Sequence, residues 1–375
     1  MRASMPQSVS LPQRTAEKLK AAQPLLTGAN ALVGLDGFVD TILHVVKQRE
    51  SATKFTRMTE MREFASRIDG AAGLSANFEL VTQMVKLGGN GPIMAHALGS
   101  YGLPITYVGN LGAPNLHPVF AGLAQRATVH SIAEPGYTDA IEFDDGKLMC
   151  GKHESLKDVN WANLIAHVPE TALSQIFAGS QLIALVNWTM LAHMGAIWGK
   201  LLTRVAPGLT GERRWLFIDL ADPAKRSRED IAGALKLISK FERYFRVVLG
   251  MNFSEGSQVG EVLGFPAPDE TYGTVAHHTA RIRDALKIDT VVIHPTHFAC
   301  ASDASGSTHV VGPFTAKPKI TTGAGDHFNA GFCIGRLARL DLAESLQAGV
   351  ATSGFYVREA KSPTLANTTR FLRTL

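Results

Sequence analysis

The order of hydrophobic and polar positions along this chain predicts a parallel sheet whose strands are connected by helices. Short apolar runs bounded by turn residues have the length and composition of buried strands, while longer segments repeat their apolar residues with helical spacing. Strands that alternate with helices form βαβ units, so we predict an α/β fold with a mostly parallel central sheet and helices on both faces. The strand runs are at residues 31–35, 182–188, 214–220, 245–251 and 290–293, and the clearest helical segments are at 190–202, 229–241 and 328–340.

Three segments depart from this alternation. Residues 14–26 carry leucines and alanines among Lys and Glu, as on an amphipathic surface helix, so we interpret residues 1–30 as an N-terminal helical extension. From 127 to 150, polar and apolar residues alternate between two turn sequences, EPG and DDG, which is typical of an antiparallel hairpin with one solvated face. We predict that this hairpin, with a second insertion at about 40–60, forms a small β lid on a domain that spans 31–375.

The sequence TTGAGDHFNAGF, from Thr321 to Phe332, combines a glycine-rich turn with the start of a helix. Gly323 and Gly325 let the backbone turn tightly, and amides at a helix N-terminus attract an anion. Asp326 stands at the same place, where a carboxylate would repel a bound phosphate unless it accepts a proton during phosphoryl transfer. The alternative, equally supported by this pattern alone, is that Asp326 only caps its helix.

Polar residues also follow two other predicted elements. Asp36 and Asp40 come shortly after the first buried strand, where α/β sheets bind ligands, so we predict that one or both contact the substrate. For Asp36 a simple turn with Gly37 is an equal alternative. Further along, the turn KLGGNG allows a ligand to approach the backbone, and Asn90 offers it both a donor and an acceptor.

Two later strands end in polar residues as well. Asn252 and Glu255 follow the strand at 245–251 and could hold a hydrated Mg²⁺ near a phosphate, although a helix cap is the favoured alternative for this spacing. Asp219 and Asp222 end the strand at 214–220, and this pattern alone assigns them no role.

Composition narrows the possibilities. The chain of 375 residues is 45% hydrophobic and 19% charged, with a net charge of +4, which permits a small anionic substrate but does not argue for nucleic acid. Three widely spaced cysteines indicate free buried thiols, no secretion signal precedes them, and no apolar run could cross a membrane, so we expect a cytoplasmic protein. Hydrolase, zinc-protease and Walker-type motifs are absent.

Four pieces that stand in one order, GLDGFVD, KLGGNGPIMAHALGSYG, NFSE and TTGAGDHFNAGF, resemble the ribokinase-like, or PfkB, family of carbohydrate kinases. The resemblance extends from about residue 31 to about residue 360. It implies a doubly wound α/β domain, a small β lid and ATP-dependent phosphorylation of a sugar or nucleoside hydroxyl. A homodimer formed through the lid is an expectation at the level of the family.

The resemblance also implies roles for individual residues. Asp326 matches the general base, and Asp40 looks like the substrate-binding Asp after the first strand, although one inserted residue leaves Asp36 as an alternative. The matching backbone and polar groups are Gly323, Ala324 and Gly325 for the anion hole, Gly88, Gly89 and Asn90 for the sugar, and Asn252 and Glu255 for Mg²⁺ and its waters.

Several positions differ from the family's pattern. Ile320 replaces an Asp that commonly supports a monovalent cation, so such a cation is doubtful, and Ile93 replaces an Asn that contacts substrate. The sequence HPTHFA replaces a glycine loop that contacts the nucleotide, and we expect His294, Thr296 and Thr322 to lie at the nucleotide.

We therefore interpret the chain as an ATP-dependent sugar kinase in which Asp326 is the general base. A non-catalytic sugar- or nucleotide-binding protein on the same fold and a nucleoside kinase remain the alternatives. The sequence does not identify the acceptor hydroxyl.

Overall fold

The computed structural model describes residues 10–375, and a nine-stranded sheet forms its centre. Seven neighbouring strands are parallel, in the order β12-β11-β10-β9-β1-β5-β6, and an antiparallel hairpin, β13 and β14, extends the β12 edge. The chain starts in the middle of the sheet and builds outwards first to one edge and then to the other, which confirms the predicted doubly wound α/β class. The strands of this sheet are β1 (Ala31–Leu35), β5 (Ile105–Gly109), β6 (Ala127–Ser131), β9 (Leu182–Leu185), β10 (Arg214–Asp219), β11 (Phe245–Met251), β12 (Thr290–Ile293), β13 (Phe298–Asp303) and β14 (Gly306–Val311).

Helices cover both faces of the sheet, and each face has its own apolar core. One core is built around Trp198, Phe241 and Phe245, and the other around Tyr107, Phe120 and Phe332, all of which are almost completely buried. The helices are α1 (Leu11–Ala21), α2 (Gln23–Thr27), α3 (Met61–Asp69), α4 (Asn90–Ser100), α5 (Ala121–Ala124), α6 (Trp161–His167), α7 (Glu170–Gly179), α8 (Met194–Lys200), α9 (Arg228–Phe241), α10 (Phe253–Val262), α11 (Tyr272–Leu286), α12 (Ala324–Leu337), α13 (Leu342–Glu359) and α14 (Leu365–Leu372).

A second, smaller sheet stands apart from the first. Its order is β3-β2-β7-β8, with β4 also paired to β2, and a small core around Leu43, Phe64 and Ile141 fixes α3 against it. The strands of this sheet are β2 (Phe38–Arg49), β3 (Phe55–Arg57), β4 (Leu80–Gly88), β7 (Gly136–Glu142) and β8 (Lys147–Lys152).

The boundaries of this lid differ from those predicted from the sequence. Residues 127–131, which the hairpin interpretation included, form β6 and pair in parallel with β5 at the edge of the large sheet. β6 is only partly buried, with Thr128 exposed and its other residues half-buried, so its sequence mixes polar and apolar residues as a lid strand does. The hairpin itself is β7 and β8, and the predicted insertion at about 40–60 matches β2 and β3 but misses β4.

The N-terminal helix α1 is attached to the body of the domain. Glu344, whose side chain is fully buried, receives Arg14 Nε at 2.7 Å and Lys18 Nζ at 2.6 Å. A buried carboxylate needs such partners, because its desolvation is otherwise costly. The predicted extension at 1–30 is thus helical over α1 and α2, and its residues 1–9 lie outside the described part of the chain.

Candidate active site

Four neighbouring parallel strands, β9 to β12, end at the rim of one cavity of about 400 Å³. Parallel strands place their carboxyl ends on the same edge of a sheet, so the polar residues that follow them converge there. The residues contributed in this way are Asn187, Asp219, Asn252 and His294. Asn90, Gly323, Gly325 and Asp326 close the cavity from the starts of α4 and α12. The structure therefore brings together residues of three separate predicted motifs, at the starts of α4, α10 and α12.

The turn before α12 has the geometry of an anion-binding site. Gly323 is the N-cap, with φ of 87°, a conformation that residues with a Cβ rarely adopt. Among residues 10–375, the amides of Gly323 and Gly325 have no backbone acceptor, whereas the amide of Ala324 donates to the Thr321 carbonyl at 3.1 Å. Two of the three predicted anion-hole amides are thus open, and the third is engaged within the turn.

Asp326 lies on the first turn of α12 and is only 7% exposed. Its Oδ1 accepts a hydrogen bond from Asn90 Nδ2 at 2.9 Å, which joins the starts of α12 and α4. Burial raises the pKa of Asp326 from 3.8 to about 7; the Asn90 bond opposes this rise, and the charges of Asp36 and Glu255 add to it. A carboxyl group with a pKa near neutrality is suited to accept a proton during a reaction.

The turn before α4 has its amides occupied by the protein itself. Asp36 is completely buried, and its carboxylate accepts from the Gly91 amide at 2.8 Å and from Asn187 Nδ2 at 2.7 Å. A Cβ on Gly89 would approach Asp36 Oδ2 to 2.7 Å, so glycine is needed for this contact. The burial of Asp36 raises its pKa to about 6. The prediction that Asp36 contacts the substrate does not fit this geometry, because its oxygens already hold the turn.

Asp40 fits the substrate role better. It lies on β2 where the chain enters the lid, and it is 7% exposed. Its carboxylate packs directly against Gly88, where a Cβ would collide with it. Burial raises the pKa of Asp40, and the Lys86 charge and a hydrogen bond from Thr138 oppose that rise.

Asn252 and Glu255 form a capping box at the start of α10. The Glu255 amide donates to Asn252 Oδ1 at 3.0 Å, and the Asn252 amide donates to Glu255 Oε2 at 2.8 Å. Glu255 Oε1 accepts from the Asp222 amide at 2.9 Å. The capping alternative is therefore present in the structure, and Glu255 lines the cavity while its carboxylate keeps further acceptor capacity.

The side chains available at the cavity determine how Mg²⁺ would bind here. Within residues 10–375, no group of three or more His, Cys, Asp or Glu side chains is arranged to hold a metal ion. A magnesium ion keeps most of its waters and takes further oxygens from substrate phosphates. The two capping residues at the cavity wall fit such water-mediated contacts and do not form a protein cage.

Asp219 is a site residue to which sequence reasoning gave no role. It is 6% exposed, accepts from Asn329 Nδ2 at 2.8 Å and from the Ala221 amide at 2.8 Å. Burial, followed by the charges of Glu255 and Asp326, raises its pKa well above the ordinary value. The signal was available in the sequence, because Asp219 ends a buried parallel strand. Asn187 follows another buried parallel strand, and it is a second residue of this cavity to which sequence reasoning gave no role.

A larger cavity of about 620 Å³ adjoins the open side of the anion-binding turn. It contains the predicted nucleotide contacts His294 and Thr296 and is otherwise lined mainly by Pro, Phe and Val side chains. His294 packs against Phe328 with ring centroids 4.5 Å apart, and its burial lowers its pKa to about 4, so its ring is neutral at neutral pH. The position of this cavity, beside the anion-binding amides, suits a nucleotide base and its ribose.

Thr322 does not lie in this cavity. Thr321 lines it instead, and Thr322 lines a third cavity on the other side of the turn, together with Ile93 and Ile320. Successive residues of a turn point in different directions, so the sequence could not decide which Thr faces the nucleotide. The prediction for Thr322 therefore transfers to Thr321.

A doubly wound sheet, a small β lid and a buried Asp behind open glycine amides together define a ribokinase-like carbohydrate kinase. Solved structures agree with this fold. The chain matches a ribokinase of Arabidopsis thaliana complexed with ribose and ATP with a TM-score of 0.65 and 14% identity, covering 92% of this chain and 99% of that one. An adenosine kinase of Sinorhizobium meliloti matches with a TM-score of 0.61 and 14% identity, covering 92% and 99%.

The chain belongs to the prokaryotic ketohexokinase family, whose model matches residues 13–374. A ketohexokinase of Haloferax volcanii is 29% identical over 354 residues, which are 94% of this chain and 93% of that protein. These findings confirm the predicted ribokinase-like family and an ATP-dependent sugar kinase, a phosphotransferase acting on an alcohol group. No helix in residues 10–375 is long and apolar enough to cross a membrane.

Proposed function

We propose that this protein transfers the γ-phosphate of ATP to a hydroxymethyl group of a ketohexose, with Asp326 as the general base. One observation carries the proposal: a buried carboxylate with a raised pKa lies between open glycine amides and the Asn90 side chain. The family supplies the acceptor class, since the similar Haloferax volcanii protein is a ketohexokinase.

The proposed reaction is an in-line displacement. Asp326 accepts the proton of the acceptor hydroxyl while that oxygen forms a bond to the γ-phosphorus and the bond to the bridging oxygen of ADP breaks. The amides of Gly323 and Gly325 stabilise the charge on the transferred phosphoryl oxygens, because they are fixed before the reaction begins. Neither amide needs to reorganise in the transition state.

The sugar would be held from the lid side of Asp326. Asp40 and the backbone of Gly88 and Gly89 offer acceptors and close contact to its hydroxyls, and Asn90 contacts both the sugar and the base. Asp36 acts indirectly by fixing this turn. The lid excludes water, which would otherwise accept the phosphoryl group.

The nucleotide would lie in the 620 Å³ cavity, with His294 and Thr296 near its phosphates and ribose. Magnesium, when bound, would neutralise part of the phosphate charge through waters held at Asn252 and Glu255. We assign no monovalent cation, because Ile320 stands at the position where the family often has a carboxylate.

We also propose a homodimer formed through the lid. Met84 on β4 and Met149 on β8 are 54% and 51% exposed, and they flank buried Ile42 and Ala140 in one cross-strand row. Exposed methionines at the two ends of this row are suited to packing against a second copy. A cytoplasmic location stays a prediction; Cys300 and Cys333 are buried free thiols as expected, whereas Cys150 is exposed.

The test measures ADP release from Mg-ATP with ketohexoses, aldohexoses, pentoses and nucleosides as acceptors. We expect turnover with ketohexoses, and ³¹P and ¹³C NMR of the product should place the phosphate on a hydroxymethyl carbon. Preference for a nucleoside would make the protein a nucleoside kinase. Absence of turnover with every acceptor, despite sugar binding by calorimetry, would leave a binding protein.

A further inference from the structure

Two carbonyl groups on the rear side of the anion-binding turn are held by side chains. The Thr322 carbonyl accepts the Tyr356 hydroxyl at 2.9 Å, and the Gly323 carbonyl contacts His327 Nδ1 at 2.7 Å in addition to accepting the His327 backbone amide at 3.1 Å. The Thr322 carbonyl shares its peptide unit with the open Gly323 amide, and the Gly323 carbonyl shares its peptide unit with the Ala324 amide, which closes the turn on Thr321; fixing the two carbonyls therefore fixes the direction of these amides. The amides of Gly323 and Gly325 are the ones left open on the opposite side.

His327 is also bonded at its other nitrogen. Its Nε2 lies 2.8 Å from Ser362 Oγ, and the same Oγ lies 2.9 Å from His96 Nδ1. The ring of His327 stacks on Tyr356 with centroids 3.5 Å apart and an interplanar angle of 13°. His327 is 2% exposed, so its ring has little freedom to move.

The donor and acceptor of each hydrogen bond in the series from His96 through Ser362 and His327 to Gly323 follow from the chemistry of the groups involved. A carbonyl only accepts, so His327 Nδ1 must carry a hydrogen and donate it to Gly323. Burial lowers the pKa of His327 to about 4, which leaves the ring neutral and makes Nε2 an acceptor of the Ser362 hydroxyl. Ser362 has then used its only hydrogen, so His96 Nδ1 donates to it.

We propose that His96, Ser362, His327 and Tyr356 position the anion hole by holding the two rear carbonyls of its turn. The hydrogen bonds run in one direction from α4 through the segment after α13 to the turn before α12, so three elements together fix the turn that carries the open amides. His327 and Tyr356 are positioning residues that do not touch substrate. This inference rests on the proposed kinase reaction.

A simpler explanation must be separated from this one. A histidine Nδ1 bonded to the carbonyl four residues earlier also occurs at His167, whose partner is the Asn163 carbonyl at 2.9 Å in α6. There the bond is local to an exposed helix end away from the site. If His327 did no more than this, its loss would change stability and leave the reaction alone.

The test uses two substitutions of His327, each of which can keep only one of its two hydrogen bonds, to Gly323 or to Ser362. In His327→Asn the amide nitrogen can take the place of Nδ1 and keep the bond to Gly323. In His327→Gln the amide oxygen can take the place of Nε2 as the acceptor of the Ser362 hydroxyl, so that only the link to Ser362 is kept. We expect His327→Gln to lower kcat about tenfold or more relative to His327→Asn, with the sugar KM changed less than about twofold, because a displaced anion hole acts on the transition state.

Tyr356→Phe removes the hydroxyl bond to Thr322 and should lower kcat in the same way. Its control is Tyr101→Phe, since the buried Tyr101 hydroxyl bonds Thr352 and Thr368 at 2.6 Å and does not touch the turn. His167→Asn and His167→Gln form the control pair for His327. The controls should change the melting temperature but not kcat.

Equal kcat for His327→Asn and His327→Gln would overturn the inference, as would a lower kcat for the Asn variant. Unchanged kcat in Tyr356→Phe would do the same for the Thr322 bond. Each of these results is read against an active wild type, whereas a wild type without turnover on any acceptor contradicts the proposed function instead.

Discussion

Two glycine turns start two neighbouring helices at this site, and they differ in whether their backbone amides are occupied or open. Gly89 begins α4 with φ of 93°, Gly323 begins α12 with φ of 87°, and neither helix has a side-chain cap. In the first turn the Asp36 carboxylate occupies the amides. In the second turn the amides of Gly323 and Gly325 are open, and the neutral donors of Tyr356 and His327 hold the carbonyls.

The difference shows that a glycine-rich helix start is an anion site only when the protein leaves its amides free. Asp36 takes the place that an anion would take in the first turn, so that turn is rigid, and in the proposed function it would present this rigid surface to the sugar. The second turn has no such internal anion, and its nearest carboxylate, Asp326, is instead bonded to Asn90. Similar sequences thus produce one structural turn and one turn ready to receive a phosphate.

The largest expected effect comes from Asp326→Asn, which keeps the size and the bond from Asn90 but removes the base. We expect kcat to fall by about 10³-fold with little change in sugar binding, because general-base catalysis contributes rate and not affinity. Steady-state kinetics and calorimetry on the same preparation measure both quantities. Turnover that survives undiminished would remove Asp326 from its proposed role.

Asp36→Ala should convert the first turn into a weak anion site. The change leaves the Gly91 amide and Asn187 Nδ2 without their acceptor, so we expect a loss of about 2–4 kcal/mol in the free energy of unfolding. Millimolar sulfate should then raise the melting temperature of the variant more than that of the wild type. An identical response of the two proteins to sulfate would contradict the view of Asp36 as an internal anion.

Gly323→Ala and Gly325→Ala compare two positions of the second turn. A Cβ at Gly323 would have to adopt a φ of 87° and would lie 3.2 Å from Ile93, whereas a Cβ at Gly325 would meet only His294 at 3.6 Å. We expect Gly323→Ala to cost about 1–2 kcal/mol in stability and Gly325→Ala less than half of that. Urea unfolding of both variants tests this order, which a more stable Gly323→Ala would reverse.

The smallest expected effect is a pH dependence of both kcat/KM and stability, which change in opposite directions as the pH rises. Because the pKa of Asp326 is raised to about 7, kcat/KM should rise with pH up to about 7 and level off above it. The same shift favours the protonated form in the folded state. Its contribution to stability is therefore complete below about pH 4 and is lost as pH rises through 7.

The stability part is checked with Asp326→Asn, which cannot titrate. Relative to the wild type, this variant should gain stability at pH 8 and less at pH 5, as measured by thermal unfolding. A difference that is the same at both pH values would show that Asp326 has no raised pKa in the folded protein.

Much of the fold was predictable because it depends on local patterns. Apolar runs identified the parallel strands, and the second glycine turn was recognisable from Gly323, Gly325 and Asp326. The edge strand β6 was assigned to the lid, since partial burial gives the same alternation in both settings. Pairing partners are set by tertiary packing, which a single sequence does not show.

The site was less predictable where one side chain serves another part of the protein. Asp36 looked like a substrate ligand, but its carboxylate is used by Gly91, 55 residues later in the chain. Asn252 and Glu255 form a cap, and the sequence alone could not show that this cap also lines the cavity. His327 was not singled out at all, because its partner Ser362 lies in a distant segment.

The Asn90–Asp326 hydrogen bond has a consequence for the timing of the reaction. While the acceptor site is empty, this bond stabilises the carboxylate and weakens it as a base. A sugar that draws the Asn90 amide to its own hydroxyl removes that restraint at the moment its proton must leave. In the proposed reaction Asp326 would then be strongest as a base when the correct acceptor is in place, and an enzyme with ATP bound but no sugar would be less able to activate a stray water.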